Sequence, residues 1–126
     1  MKKEQIETKK APAALGPYSQ GVVSSGFIFL SGQVGIDPES GKLVDGGVSE
    51  QTKQIFANIK NVLDEAGSTL DDIVKVTVFL KNMDDFSLVN SKYAEYFIEP
   101  YPARSAVQAA KLPLDVDIEI EVIAAK

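Results

Sequence analysis

Arg104 is the only arginine among 13 basic residues, and it lies in the stretch "YPARSAV" at residues 101–107. A guanidinium is a rigid, planar fork of five donors that matches a carboxylate bidentately, whereas a lysine offers a compact point charge. Two uses fit a lone arginine: a surface ion pair, or a dedicated contact with a carboxylate. Its setting tips the balance toward the second. Pro102 prevents a helix from running through the segment, and "SAVQAA" reads as a short strand of small residues, so Arg104 stands at the mouth of a strand and can reach a cleft.

The acidic counterpart is at residues 116–124, "VDIEIEVIA", which alternate strictly. Val116, Ile118, Ile120 and Val122 face one way; Asp117, Glu119 and Glu121 face the other. Three carboxylates in a row suit a solvated sheet face. Alternatively one of them looks into a cleft beside Arg104, where a desolvated carboxylate near a cation serves as a general base toward water. Tyr18, in the stiff corner Gly16-Pro17-Tyr18, has its ring held in a defined direction and either caps the core at a turn or lines a site. Ser31-Gly32-Gln33 interrupts an apolar run, and a glycine there marks a bulge or a point where a ligand or another chain approaches the backbone. Asn90 falls one position past an apolar helical stripe, where spacing alone favours a structural amide fixing a neighbouring loop.

Composition narrows the chemistry further. The chain has no cysteine and no histidine, which removes disulfides, thiolate nucleophiles, imidazole bases and the usual zinc or iron ligand sets. A net charge of −5 argues against a protein that lives on phosphate backbones, so no nucleic-acid partner is expected. No apolar run approaches the ~20 residues of a membrane span, and "MKKEQIETKK" lacks the apolar centre of a signal peptide; the expected location is the cytoplasm. At 126 residues, one domain over 1–126 is expected.

The elements that must position these residues follow from pattern. Residues 4–9 suit an edge strand, 11–19 a proline-rich loop, and 21–34 a hairpin around "SSG", with residues 27–30 buried on both faces. Residues 35–47 are turn-rich with no element of their own. Ser49 is placed to cap a helix whose stripe is Ile55, Phe56, Ile59, Val62, Leu63 and Ala66, closed by Gly67. Residues 73–80 form a strand, with Val74, Val76, Val78 and Leu80 on one face and Ile73, Lys75, Thr77 and Phe79 on the other. A second helix starts near Asp84 or Asp85, carries Phe86, Val89, Tyr93 and Phe97, and stops before Pro100. The order gives an α+β layer with two helices on one sheet face, and the other face is expected to be covered by sister subunits.

Over nearly its whole length the chain resembles the RidA/YjgF/YabJ family of reactive intermediate deaminases, through "APAALGPYSQGV", "FLSGQVGIDPESGKLV", residues 50–90 and "YPARSAVQAAKLPLDVDIEIEVIA". The resemblance implies a chorismate-mutase-like sheet with two helices, assembled as a homotrimer with clefts between subunits. It also implies hydrolysis of 2-iminopropanoate and 2-iminobutanoate to 2-oxo acids and ammonia, without metal or cofactor, on imines released by pyridoxal-phosphate dehydratases. Carried over by motif, Arg104 binds the substrate carboxylate, Glu119 positions or activates water, and Tyr18, Ser31, Gly32 and Asn90 line the pocket. Many members have a cysteine where this chain has Ala106, so no thiol role transfers and that position contributes through its backbone. The alternatives are a non-catalytic module that binds small carboxylates and, at odds with the acidic charge, an endoribonuclease or translation inhibitor.

Overall fold

The computed structural model describes residues 2–126; Met1 lies outside them. Strands β1 (Glu4–Ile6), β2 (Gly21–Ser24) and β3 (Phe27–Leu30) form a meander, with β2 and β3 joined through Ser25 and Gly26, both at positive φ, as a tight primed hairpin turn requires. A small hairpin of β4 (Ile36–Asp37) and β5 (Lys42–Leu43) then occupies the stretch expected to hold no element; its two-residue strands are too short for a pattern to announce. Helix α1 (Gly47–Glu65) leads to β6 (Ile73–Leu80), helix α2 (Phe86–Tyr93) to β7 (Ala103–Gln108), and β8 (Ile118–Ala125) closes the chain. The peptide bond before Pro100 is cis.

The main sheet has the order β1-β2-β3-β8-β6-β7, antiparallel except for the parallel pair β6 and β7. Since β8 runs antiparallel to both neighbours, β3 and β6 are parallel too. The chain therefore makes two crossovers, through α1 and through α2, that step the same way across the sheet. One handedness then puts both helices on one face, as the layer argument expected. Ile55, Phe56, Ile59, Val62 and Leu63 of α1 and Val89 and Tyr93 of α2 pack there on Ile28, Val76, Val78, Leu80, Ile118 and Ile120.

Four expectations are corrected in detail. Ser49 is not the cap: α1 starts two residues earlier, after Gly46 at φ 110°, a conformation that favours glycine. The α-helical part of the second helix ends at Tyr93, with 3-10 turns on either side of it, so Phe97 packs from beyond the helix. A bulge between Ile73 and Lys75 turns Ile73 into the core and leaves Val74 42% exposed, reversing their assigned faces. Phe27 and Phe29 are 43% and 41% exposed, so within the chain β3 is covered on one face only. The end of α1 is as expected: Gly67 donates to the Asp64 carbonyl and Ser68 to that of Leu63, the paired bonds of a Schellman motif.

Candidate active site

Glu119 and Arg104 lie on opposite faces of the sheet. In the pairing of β6 with β7, Arg104 is level with Val76, whose side chain is buried under the helices; in the pairing with β8, Glu119 is level with Phe79, on the open face. Laterally paired residues point the same way. A single chain thus does not bring the two together, and the cleft beside Arg104 into which a carboxylate was to look is not formed within it. Instead the seven residues expected at the site form two groups.

The first group surrounds Glu119. A cleft of 570 Å³ is lined by Tyr18, Ser31, Gly32 and Glu119, with Leu15 and Leu114 among its apolar walls. Beyond Leu30 the chain keeps contact with β8 by a reciprocal pair of backbone bonds, Gln33 N–H to the Ile120 carbonyl at 2.8 Å and the reverse at 3.0 Å. Gly32 is brought close to Glu119 in this way, and a Cβ at Gly32 would collide with the Glu119 carboxylate. Ser31 donates its hydroxyl to the Ser19 carbonyl at 2.6 Å and its N–H to the Gln20 carbonyl at 3.0 Å, tying the strand to the loop that carries Tyr18. The Tyr18 ring is 55% exposed in the cleft wall, not a cap on the core. Burial pushes the Glu119 carboxyl above its ordinary range, and neighbouring Glu121 adds to the shift. Asp117 does not join this row: it precedes β8, and its carboxylate accepts from Gln51 Nε2 of α1 at 3.0 Å. Among the described residues Glu119 is the only charged one lining the cleft.

The second group surrounds Arg104. Nη1 donates to Asn90 Oδ1 at 2.7 Å, so the amide fixes an arginine rather than a loop. The guanidinium carbon lies 4.7 Å from the centroid of the Tyr93 ring and 5.3 Å from that of Phe86. Burial raises the Tyr93 phenol and nearby Arg104 partly offsets it, which leaves the hydroxyl neutral. Ala106, two residues along β7, is level with Val78 and packs against the core on the Arg104 face. Among the described residues the ion pairs are Lys81–Asp115 and Lys92–Glu95; none involves Arg104. Among the described residues of one chain, Glu119 is thus an anion with no cation and Arg104 a cation with no anion.

Three buried amides that hold the Glu119 cleft escaped the sequence reading. Gln20 donates to the Thr8, Ala11 and Pro12 carbonyls and accepts the Thr8 N–H, pinning the loop before Tyr18. Gln51 clamps Asp117 by a second bond from the Asp117 N–H at 2.9 Å, and Asn58 donates to the Val34 and Ile36 carbonyls at 3.3 and 3.0 Å. The signal was present for two of them. Gln51 and Asn58 sit four before and three after Ile55, on the apolar stripe of α1, and an amide on such a stripe must have partners. Gln20 lies in no periodic element and had no such signal.

A family profile described as Endoribonuclease L-PSP matches residues 8–126. The chain belongs to this, the RidA/YjgF, family. It is 54% identical to a RutC family protein of Pyrococcus abyssi over 100% of its own length and 99% of the relative's. It is 49% identical to the 2-iminobutanoate/2-iminopropanoate deaminase of Homo sapiens, over 94% of this chain and 87% of that protein. Among solved structures, Escherichia coli TdcF with bound serine superposes with a TM-score of 0.92 at 41% identity, covering 98% of each chain. Among the described residues no helix is long and apolar enough to cross a membrane.

Proposed function

We propose that this RidA/YjgF family member hydrolyses 2-imino acids, 2-iminopropanoate and 2-iminobutanoate among them, to 2-oxo acids and ammonia, in clefts completed between copies of the chain. The observation that carries the reading is the complementarity of the two groups: Glu119 is the one charge of its cleft, and Arg104 is oriented without an acidic partner. A homotrimer whose copies present Arg104 to the open sheet face of the next would join them, and would cover Phe27 and Phe29. The human relative's name states the same reaction.

In the joined site Arg104 takes the substrate carboxylate through the donors that Asn90 leaves, with Ala106 contributing its backbone. Glu119, half-buried in the cleft wall beside Gly32, accepts a hydrogen bond from one water and aims its oxygen at the imine carbon. As the C–O bond forms on the protonated imine, one water proton passes to Glu119 and the C=N π pair becomes the lone pair of an amine. Glu119 then returns that proton to the nitrogen, and as the C–N bond breaks and ammonia leaves it takes the remaining hydroxyl proton, giving the 2-oxo acid and, once ammonia accepts that proton, ammonium. Tyr18 and Ser31 wall the cleft, and neither a metal nor a cofactor takes part. Dehydratases of hydroxy amino acids, which use pyridoxal phosphate, are the class of enzyme that releases such imines.

A second reading has one observation in its favour, the serine bound to the Escherichia coli relative: a module that binds amino-acid-like carboxylates without turnover. Both readings use Arg104, but only the enzyme needs Glu119. The deciding experiment follows 2-oxobutanoate and pyruvate while a dehydratase generates the imine, with wild type, Arg104→Ala and Glu119→Gln. The deaminase accelerates product formation and both variants abolish the acceleration. No acceleration by wild type, with serine still bound, hands the site to the binding module. The family's label of endoribonuclease has no support from a chain of net charge −5, and steeply salt-dependent RNA binding is the result that would reinstate it.

A further inference from the structure

We propose that Tyr93 and Phe86 are positioning residues: their rings form a neutral aromatic seat that, with Asn90, fixes the Arg104 guanidinium for a ligand carboxylate. The inference deepens the role given to Arg104 above and rests on it. Arg104 projects from β7, an edge strand, and such a side chain is ordinarily mobile. Here a stack of rings leads to it from the core. Phe56 of α1 is fully buried and meets Tyr93 edge-on at 6.0 Å; Tyr93 also packs on Phe97 at 4.6 Å and carries the guanidinium over its ring at 4.7 Å. The seat is thus as rigid as the core that holds it.

Its chemistry matters as much as its rigidity. A ring face attracts a cation through its quadrupole and a carboxamide oxygen through its dipole, and neither cancels the charge. An aspartate or glutamate in the same place would orient the guanidinium equally well, but it would neutralise it and compete with the ligand for the same donors. Among the described residues the buried Tyr93 hydroxyl has no hydrogen-bond partner, so removing it breaks none of their bonds, while the ring is what touches Arg104. That separates ring from hydroxyl in an experiment.

The test titrates 2-oxobutanoate and its uncharged methyl ester into the assembled protein, alongside kcat and KM for the imine. Tyr93→Leu is expected to weaken 2-oxobutanoate binding and raise KM by roughly 5- to 20-fold, with a smaller change in kcat, while ester binding is unmoved. Tyr93→Phe keeps the face and is expected to restore binding to within about twofold of wild type. Should Tyr93→Leu fail to fold, Phe86→Leu, at the half-buried rim, is expected to show the same acid-selective loss. Unaltered acid binding in Tyr93→Leu or, in its stead, Phe86→Leu overturns the seat, as does an equal loss for acid and ester, or a loss in Tyr93→Phe as large as in Tyr93→Leu. If wild type binds 2-oxobutanoate in an Arg104-dependent way but turns over no imine, the deaminase reading fails and the seat stands. If Arg104→Ala binds 2-oxobutanoate as wild type does, the seat falls.

Discussion

The Glu119 cleft is shaped by backbone and the Arg104 seat by side chains. Around Glu119 the decisive features are a glycine with no Cβ, a strand that returns to its partner at Gln33, and loops pinned by buried amides at their carbonyls. Around Arg104 they are two rings and an amide oxygen on α2. The contrast fits the roles proposed for the two groups. A base that must hold water is tuned by excluding solvent, which close backbone achieves. A cation that must receive a charged ligand needs orientation without neutralisation, which aromatic faces provide.

The largest effect separates the two in kinetics. Glu119→Gln keeps the shape of the cleft and removes the base, so kcat should fall by about 10²- to 10⁴-fold while 2-oxo acid binding persists. Arg104→Ala should lose ligand binding itself. If the pattern is reversed, the roles assigned to the two groups are exchanged. Next comes a test of their separation across the sheet. Co-expression of inactive Arg104→Ala and Glu119→Gln chains should restore roughly a quarter of wild-type activity if each cleft draws its arginine and glutamate from different copies, because each of the two neighbours is correct about half the time. No recovery would mean that both residues serve from one chain, against the faces on which they stand.

A smaller effect probes the backbone side. Gly32→Ala places a methyl group where the Glu119 carboxylate lies, and either the strand or the carboxylate must move. Activity should drop by about tenfold or more, since misplacement of a catalytic group by an ångström is costly, with little loss of stability because the end of the half-buried Glu119 side chain is what gives way. The same change in the hairpin turn, Gly26→Ala, meets no atom within 4 Å and touches only the local turn. If Gly32→Ala retains full activity, the closeness of glycine and glutamate has no catalytic meaning.

What the sequence disclosed differs between the halves for the same reason. The helices, the alternation of β8 and the α+β layer were legible because hydrophobic period survives in one dimension. So were Arg104 and Glu119, as a singular residue type and a carboxylate in an alternating strand. Which face each occupies relative to the other was not legible, because it depends on β8 inserting between β3 and β6 rather than beside β7, a choice made by the whole topology. The bulge at Val74 was hidden because one extra residue inverts faces without changing composition. The seat was hidden for another reason. Phe86 and Tyr93 match a core stripe, and nothing in their spacing says that an arginine from a distant strand lies on them.

The smallest prediction concerns pH and stability, and it returns to Glu119. Its carboxyl is raised in the folded state, first by burial and then by Glu121, so the native chain keeps that proton to higher pH than the unfolded chain, whose glutamates titrate near ~4.3. Over the interval between the two values the native state binds more protons, and the free energy of unfolding falls as pH rises through it. The loss is complete above the folded-state value and absent below the unfolded one. Glu119→Gln removes the group, so the variant should match wild type in acid and exceed it at neutral pH. Urea titrations across the interval measure this directly. Assembly adds a second term of opposite sign, since an Arg104 supplied by another copy would stabilise the carboxylate and lower its value. The slope should therefore be steeper under conditions that separate the copies than in the assembled protein. An equal slope in both would mean that no cation reaches Glu119, and that its cleft works without the arginine across the sheet.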